Sequence, residues 1–316
     1  MKKFIGYEKG VNLGGWLSQC CHTKEHYDSF ITEEDIKKAA SFGIDHVRLP
    51  IDYNLVEDAN GSPVEEGYRY IDSALEWCGK YGLKVVLDLH KTAGYSFDKG
   101  ENENGFFESG ELQQRFISLW EKLAKRYGKY SDRAVFELLN EVTEQKYSDT
   151  WNDIIYKAIE KIRTHAPDIM IITGGYWQNS PDALPDIAKP YDDKVVLGFH
   201  CYDPLKFTHQ GAPWVDGMDV NFRMAFPENE INTAFFEQRF TAALKTAEKY
   251  DAPLYCGEYG VIDRADPKDV LAWYKAINAA FLKYGISRCA WNFKEKDFGI
   301  SDEWASPVID ELVKYL

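Results

Sequence analysis

The sequence predicts an α/β protein folded as a (β/α)8 barrel, and three observations lead to this prediction. Eight short β-rich runs alternate with amphipathic segments of helical period. Runs such as "VVLDL" are apolar throughout, as parallel strands covered on both faces are. Strands separated by helices are typical of parallel sheets joined by crossovers, and eight such units in 316 residues fit the usual length of a barrel.

The predicted strands, in chain order, lie in "KGVNLGGW", "GIDHVRLP", "GLKVVLDLH", "AVFELLNE", "IMIITGG", "KVVLGFH", "APLYCGEYG" and "SRCAWNF". The clearest helical patterns between them are "ELQQRFISLWEKLAKRYGKY" and "WNDIIYKAIEKIRTHA". An open doubly wound sheet is the competing architecture, but it would need a Gly-rich phosphate turn after its first strand. Because "NLGGWL" lacks the GxGxxG spacing, we predict a single TIM-barrel domain over residues 1–316.

Polar and flat side chains follow the apolar interiors of the predicted strands. In a barrel the carboxyl ends of the strands form one rim, where active sites lie. The residues predicted to meet there are Arg48, His90, Asn140, Glu141, His200, Tyr202, Glu258 and Trp291. Each alone has an ordinary explanation, such as a core histidine or a core tryptophan. Together they indicate a site, because burying two carboxylates near each other is unfavourable unless a function uses them.

Two carboxylates on opposite parts of the rim suggest acid/base and nucleophilic chemistry on a glycosidic bond. One carboxyl group must be protonated to assist the leaving oxygen, and the other must be ionised to attack the anomeric carbon. Arg48 could keep one glutamate ionised, and Tyr202 could donate a hydrogen bond to it. The imidazole of His200 could hold the other glutamate, and Trp291 offers a flat ring to a sugar.

The motifs resemble family 5 of the glycoside hydrolases, which are retaining (β/α)8 enzymes, and most of all its small clostridial endoglucanases. The matching stretches are "GVNLGGW", "DHVRLPIDY", "VVLDLH", "FELLNEV", "FHCYDPL", "LYCGEYGV" and "WNF". This resemblance implies that Glu141 is the acid/base, that Glu258 is the nucleophile and that Asn140 binds the sugar 2-hydroxyl. The other rim residues would complete the site. Lys91 departs from the family pattern, because many relatives carry a second histidine there.

The resemblance implies a retaining endo-β-glucanase that cleaves internal β-1,4 linkages of cellulose-type or mixed-linkage glucan. A β-1,3-glucanase, exo- or endo-acting, is the nearest alternative, because "GVNLGGW" also occurs in exo-acting β-1,3-glucanases. A mannanase or xylanase is a weaker alternative. A non-catalytic carbohydrate-binding barrel is weaker still, because it would have lost one glutamate. The segment between His200 and Glu258 is too short for the helical insertion of some relatives, which predicts an open groove.

Charge and aromatic content fit a neutral polysaccharide as the partner. The net charge of −14 disfavours binding to nucleic acid and to anionic membranes. Nine Trp, 20 Tyr and 18 Phe exceed what a core needs, so some rings are expected to face sugars. The aromatic residues that could line the groove are Trp16, Tyr95, Phe97, Tyr176, Trp177, Phe207 and Trp214. About half of them are expected to be core or loop residues instead. We expect a monomer that binds β-glucan.

The cysteines and the N-terminus give further expectations. None of the six cysteines forms a CxxC pair, and no His/Cys/Asp cluster has ligand spacing, so neither a metal nor an organic cofactor is predicted. The cysteines are expected to be reduced thiols. Lys2 and Lys3 imitate a signal peptide, but Glu8 and Lys9 interrupt it. The expectation is a cytoplasmic protein, or a secreted one whose leader has been removed.

Overall fold

The computed structural model describes residues 1–98 and 100–316, and within these residues eight parallel strands close into a barrel. Each strand pairs with the next along the chain, and the last pairs with the first. The strands are β1 (Lys9–Asn12), β2 (His46–Asp52), β3 (Lys84–Lys91), β4 (Ala134–Glu137), β5 (Met170–Gly174), β6 (Val195–Cys201), β7 (Leu254–Tyr259) and β8 (Ser287–Ala290). The predicted barrel is confirmed.

All eight predicted runs contain a strand, but the fourth strand is shorter than its run. β4 ends at Glu137, whereas the apolar run continues to Asn140 and Glu141. Beyond Glu137 the chain keeps single bonds to both neighbours, from Leu138 N to Ile172 O (3.2 Å) and from Asn140 N to Leu89 O (3.0 Å). Asn140 and Glu141 therefore lie on a segment above the sheet and not at the strand end itself.

Helices and short turns cover the outside of the barrel and its carboxyl-end loops. The helices are α1 (Lys24–Ser29), α2 (Glu33–Ser41), α3 (Tyr53–Val56), α4 (Glu65–Lys80), α5 (Gly110–Tyr127), α6 (Ser148–Arg163), α7 (Tyr176–Asn179), α8 (Leu205–Thr208), α9 (Thr233–Arg239), α10 (Thr241–Tyr250), α11 (Pro267–Tyr284) and α12 (Ile309–Leu312). The 3₁₀ turns are Gly128–Tyr130, Gln145–Tyr147, Pro181–Asp186, Glu303–Ala305 and Val313–Tyr315.

The two clearest helical patterns became α5 and α6. The predicted apolar face of α6 is buried at every position, namely Ile154, Ile155, Ala158, Ile159 and Ile162. Ser109 precedes α5 and caps it, because its hydroxyl accepts a hydrogen bond from the backbone N–H of Leu112 at 3.3 Å. Such a cap satisfies one of the free N–H groups at a helix start.

The barrel interior has an apolar layer near the amino ends of the strands and a charged layer above it. The apolar layer consists of Val86, Val135, Ile172, Val196, Tyr255 and Cys289, closed by Phe4 and Tyr7 from the N-terminal segment. Side chains alternate along a strand, so Asp88 and Glu137, two residues after Val86 and Val135, face the same interior. They are paired in register and lie beside Arg48 of β2.

Two further features concern the whole chain. Among the described residues, no helix is long and apolar enough to cross a membrane. All six cysteines are free, and Cys78, Cys201, Cys256 and Cys289 are buried.

Candidate active site

The predicted rim residues meet at the carboxyl end of the barrel. They come from β2 (Arg48), β3 (His90), the segment after β4 (Asn140 and Glu141), β6 and the residue after it (His200 and Tyr202), β7 (Glu258) and the residue after β8 (Trp291). All are buried except Tyr202, which is partly exposed.

The carboxyl group of Glu258 lies between a cation and a phenol. Arg48 Nη1 donates to Glu258 Oε1 at 2.7 Å, and the hydroxyl of Tyr202 donates to Oε2 at 2.9 Å. Hydrogen bonds to an ionised carboxylate are among the stronger ones in proteins. Both contacts favour the charged form of Glu258, as the sequence predicted for one of the two glutamates.

Glu141 has a different environment. Its Oε1 lies 2.9 Å from His200 Nδ1, and no lysine or arginine of the described chain pairs with it. The backbone at Glu141 has φ of 41°, in the left-handed region that non-glycine residues rarely adopt. The hydroxyl of Tyr95 donates to the Glu141 carbonyl at 2.6 Å and helps to hold this conformation. Strained backbone of this kind is often found at functional sites.

The two carboxylates lie close together. One side-chain oxygen of Glu141, one of Glu258 and a ring nitrogen of His200 are all within 4.8 Å of one another. Retaining glycosidases hold their two carboxyl groups about 5 to 5.5 Å apart, whereas inverting ones need about 6.5 to 9.5 Å to admit a water. The separation matches the retaining geometry.

Burial and charge separate the pKa values of these groups. Burial raises the pKa of Glu141 well above its usual value, and the neighbouring charge of Glu258 raises it further. Burial also raises the pKa of Glu258, but Arg48 and the Tyr202 hydroxyl oppose that rise. Burial and the charge of Arg48 lower the pKa of His200 well below 6.5, so its imidazole is neutral. Glu141 is therefore the better proton donor and Glu258 the better anion.

Three polar residues around Arg48 were missed by the sequence analysis. Arg48 bonds Glu137 through Nε at 2.7 Å and Nη2 at 3.0 Å, Asp88 through Nη2 at 3.0 Å, and Asn12 through Nη1 at 2.9 Å. Each of the three interrupts an apolar run, in "GVNLGG", "VVLDLH" and "VFELLNE". A polar residue inside an otherwise buried strand was the signal that could have identified them.

Two buried polar atoms are free to bind a ligand. Asn140 Oδ1 accepts from Arg48 Nη2 at 2.9 Å, which leaves its amide Nδ2 as a donor. Burial lowers the pKa of His90 to about 4, so the ring is neutral, and its Nδ1 lies 2.6 Å from Asp88 Oδ2. With the Nδ1 proton donated to Asp88, His90 Nε2 is an acceptor. Neither Asn140 Nδ2 nor His90 Nε2 has a hydrogen-bond partner in the described part of the chain.

Lys91, the departure from the family pattern, is engaged within the protein. Its Nζ lies 3.5 Å from Asp52 Oδ2 and 2.9 Å from Glu101 Oε2. Asp52 also contacts His22 Nε2 at 3.0 Å, which raises the pKa of His22 to about 9. The position after His90 thus belongs to a chain of ion pairs that joins β2, β3 and two rim loops.

The candidate groove aromatics fall into two groups. Trp16 and Phe207 are fully buried in the core and Tyr95 and Tyr176 are also buried, so these rings do not line an open groove. Trp177 and Trp214 are 49% and 52% exposed. Phe97 is partly exposed, with its ring at right angles to that of His90 at 5.1 Å. Trp291 lies parallel to His90 at 5.9 Å between ring centroids.

The cluster of Glu141, His200 and Glu258 is also the place where a divalent cation could find three ligand atoms. Arg48 already occupies Glu258 Oε1, and Tyr202 donates to Oε2. Both side-chain oxygens of Glu258 therefore already have partners within the protein. The absence of a metal requirement stays a prediction.

The comparison with protein families agrees with this geometry. The family model described as cellulase (glycosyl hydrolase family 5) matches residues 6–297, nearly the whole chain.

The chain belongs to glycosyl hydrolase family 5.

Its relatives in this family include curated enzymes of similar length. Cellodextrinase A of Ruminococcus flavefaciens is 51% identical over 97% of this chain and 89% of its own length. Endoglucanase C of Acetivibrio thermocellus is 38% identical over 99% of this chain and 98% of its own length. Among solved structures, the clostridial cellulose synthase subunit Z of Clostridioides difficile superposes with a TM-score of 0.84 at 27% identity, over 97% of this chain and 99% of that one. As a member of family 5, the protein is a glycosidase.

Proposed function

We propose that this family 5 glycosidase is a retaining endo-β-glucanase that cleaves internal β-1,4 linkages, with Glu141 as acid/base and Glu258 as nucleophile. The observation that supports it most is the short separation of two unlike carboxyl groups. They lie within 4.8 Å of each other, one beside a neutral imidazole and the other between a guanidinium and a phenol.

In the first step Glu141 donates its proton to the leaving glycosidic oxygen while Glu258 attacks the anomeric carbon from the opposite face. The bond from the anomeric carbon to the leaving oxygen breaks, and a glycosyl ester forms on Glu258. Asn140 Nδ2 is placed to donate to the sugar 2-hydroxyl, because Arg48 fixes the other end of its amide. The resemblance to family 5 implies this contact, and a hydrogen bond there strengthens as charge develops on the ring.

In the second step Glu141 acts as a base and the ester on Glu258 is hydrolysed. Ester formation removes the negative charge of Glu258, so the pKa of Glu141 falls and Glu141 can take a proton from water. The water attacks the anomeric carbon and breaks the bond to Glu258. Two inversions give a product with the configuration of the substrate.

The substrate class follows from the family and the named relatives. One relative is called a cellodextrinase and another an endoglucanase, so we propose that both short cello-oligosaccharides and longer β-glucans are cut. The β-1,3-glucanase alternative is disfavoured by these relatives. We further propose that the enzyme acts as a monomer without a metal ion.

The first prediction concerns linkage and mode of attack. Carboxymethyl cellulose and barley mixed-linkage glucan should be cut internally, because an open groove binds a chain at any position. Viscosity should fall early, while few reducing ends have formed, and cellopentaose should yield shorter cello-oligosaccharides. Viscometry combined with a reducing-sugar assay and product chromatography measures this.

The same assay on a β-1,3-glucan provides the control. Release of glucose from the ends of that polymer at a comparable rate, with the viscosity of the β-1,4 substrates unchanged, would establish the alternative. Treatment with a chelator should leave both rates unchanged.

We propose that Trp177 contacts the leaving-group side of the substrate. Its backbone N–H donates to the backbone carbonyl of Thr143 at 3.3 Å, and the backbone N–H of Gln178 donates to that of Val142 at 3.1 Å. These acceptors directly follow Glu141, the proposed proton donor to the leaving group. Trp177, Gln178 and Asn179 all have positive φ, from 51° to 55°. A left-handed turn thus joins the backbone of Trp177, whose side chain is half exposed, to the segment that follows Glu141.

The second prediction is that Trp177→Ala weakens binding of substrates that have sugars on the leaving-group side. Loss of about 1 kcal/mol of ring contact should raise KM for cellopentaose roughly fivefold. An aryl cellobioside has no sugar on the leaving-group side, so Trp177→Ala should hydrolyse it at the wild-type rate. Steady-state kinetics on both substrates tests the split.

A matched control removes an exposed ring elsewhere. Tyr156 on α6 is 51% exposed, and Tyr156→Ala should change neither KM. An equal effect of Trp177→Ala on both substrates would contradict this placement.

A further inference from the structure

Glu137 is a carboxylate inside the barrel that the two-step reaction does not use. It is the last residue of β4 and only 2% exposed, in a run that is otherwise apolar. A buried carboxylate is strongly destabilising unless charge and hydrogen bonds compensate it. Its position therefore needs an explanation beyond strand formation.

The partner of Glu137 is Arg48, which it binds through both oxygens. Arg48 Nε donates to Oε2 at 2.7 Å and Nη2 donates to Oε1 at 3.0 Å. Such a two-point contact fixes the plane of a guanidinium as well as its position. With that edge held, the remaining terminal nitrogen of Arg48 points to Glu258 Oε1 at 2.7 Å and to Asn12 Oδ1 at 2.9 Å.

Arg48 also affects both catalytic glutamates through its charge. It lowers the pKa of Glu258, with which it is in contact, and it lowers that of Glu141 as well. The first effect helps the nucleophile, but the second would remove the proton that the acid must keep. Asp88 and, to a smaller extent, Glu137 oppose the second effect, because their negative charges raise the pKa of Glu141.

We propose that Glu137 is a positioning residue, which orients the Arg48 guanidinium toward Glu258 and offsets its positive charge inside the site. This inference rests on the proposed roles of Glu141 and Glu258. Glu137 acts through Arg48 and does not touch the reacting atoms.

Several other titratable or charged groups surround Glu137 and the site, and they also affect how activity depends on pH. They are Arg48 from β2, Asp88 and His90 from β3, Glu141 after β4, His200 from β6 with Tyr202 after it, Tyr255 and Glu258 from β7, and Cys289 from β8. Burial raises the pKa of Asp88 to about 7, and that of Glu137 is raised too. Because Asp88 can gain or lose a proton near neutral pH, it offsets part of a charge change at Glu137.

The test replaces Glu137 with the isosteric but neutral glutamine and measures the pH dependence of kcat/KM on an aryl cellobioside and on cellopentaose. The site becomes more positive, so both glutamates lose their protons at lower pH. Both limbs of the profile should move to lower pH, by up to roughly one unit for a charge several ångströms away. At the optimum, kcat should fall about tenfold to hundredfold, because a misplaced Arg48 supports Glu258 less well. KM should stay within about threefold, since Glu137 does not contact substrate.

Glu57 offers a matched control. It is also a buried glutamate, with Arg115 Nε at 2.6 Å from its Oε1, but it lies at the end of α3 and outside the rim cluster. Glu57→Gln should lower thermal stability without moving either limb of the profile. Glu137→Asp keeps the charge and breaks the two-point contact, so it should lower kcat while the limbs stay in place.

Each outcome decides the matter. A wild-type pH profile for Glu137→Gln, with activity lost only in proportion to folded protein as in Glu57→Gln, would overturn the proposal. If the glutamine variant does not fold, the aspartate variant still tests it, and displaced limbs there would contradict a role for the charge. Inactivity of the wild-type enzyme on β-glucans would instead refute the proposed function, and that measurement comes first.

Discussion

Glu258→Ala is expected to reduce kcat/KM on cello-oligosaccharides by a factor on the order of 10⁵ or more, as loss of a covalent nucleophile does in other enzymes. Neither of the other two glutamates of the site can take its place. Glu137 is bound to Arg48 through both oxygens, and Glu141 lies on the side of the leaving group in the proposed geometry. Initial rates and the unfolding temperature of purified protein measure this, and the variant should remain folded.

A small nucleophile should restore part of this activity. Replacement by alanine leaves room for azide beside Arg48, where Glu258 Oε1 was at 2.7 Å from Nη1. Azide should increase the rate with an activated aryl cellobioside by at least tenfold, because it replaces the missing nucleophile. The activated aryl group leaves with little help from the acid Glu141. No response to azide, in a variant that is folded and still binds cellobiose, would contradict the assignment of Glu258.

Glu141→Ala is expected to show the second largest effect, with a pattern of its own. On natural substrates kcat should fall by up to about 10⁴-fold, because the leaving oxygen receives no proton. With a dinitrophenyl leaving group the first step needs no acid, so the ester should form and then accumulate. Stopped-flow measurements should show a burst of dinitrophenol close to one equivalent per enzyme, followed by slow turnover.

The pH dependence of that burst provides the control for Glu141. In the wild-type enzyme kcat/KM should fall at high pH, where Glu141 loses the proton that burial and Glu258 help it to keep. In Glu141→Ala the rate of the burst should lose this high-pH limb. A burst that still falls at high pH with the same midpoint would assign the proton to another group.

Much of the fold could be predicted because the barrel repeats one simple pattern. Each strand is a short apolar run, and polar residues such as His90 and Glu258 lie near its carboxyl end. The second run was expected to end at Arg48, but β2 continues to Asp52, and Arg48 reaches the other rim residues from inside the strand. The predicted extent of the fourth strand was wrong, because β4 ends at Glu137. An apolar run shows which residues are buried, but Leu138 and Leu139 are buried after the ladder has ended.

A polar residue inside an apolar run marks Asp88 and Glu137 in the sequence, but the contacts of the charged layer below the rim could not be predicted from it. Asp88 and Glu137 lie inside strands, and a strand buried on both sides shows no alternation that tells inward from outward positions. Their function depends on Arg48, which comes from another strand and contacts both of them. Only the closed barrel brings these three residues together.

The aromatic residues show a related limit. Trp16 and Trp177 each lie just beyond a strand on the carboxyl side, yet Trp16 is fully buried and Trp177 is half exposed. Trp16 stacks on Trp77 of α4 with ring centroids 6.1 Å apart. The exposure of Trp177 depends on its left-handed turn. Neither environment can be derived from residue type.

The configuration of the azide products tests the pairing of Glu141 with Glu258 most directly, and proton NMR of the isolated glycosyl azides measures it. In Glu258→Ala, azide attacks the anomeric carbon itself, so a β-linked substrate should give the α-glycosyl azide. In Glu141→Ala, azide attacks the ester on Glu258, so the β-glycosyl azide should form. The same configuration from both variants would contradict double displacement through these residues, and exchanged configurations would reverse the two roles.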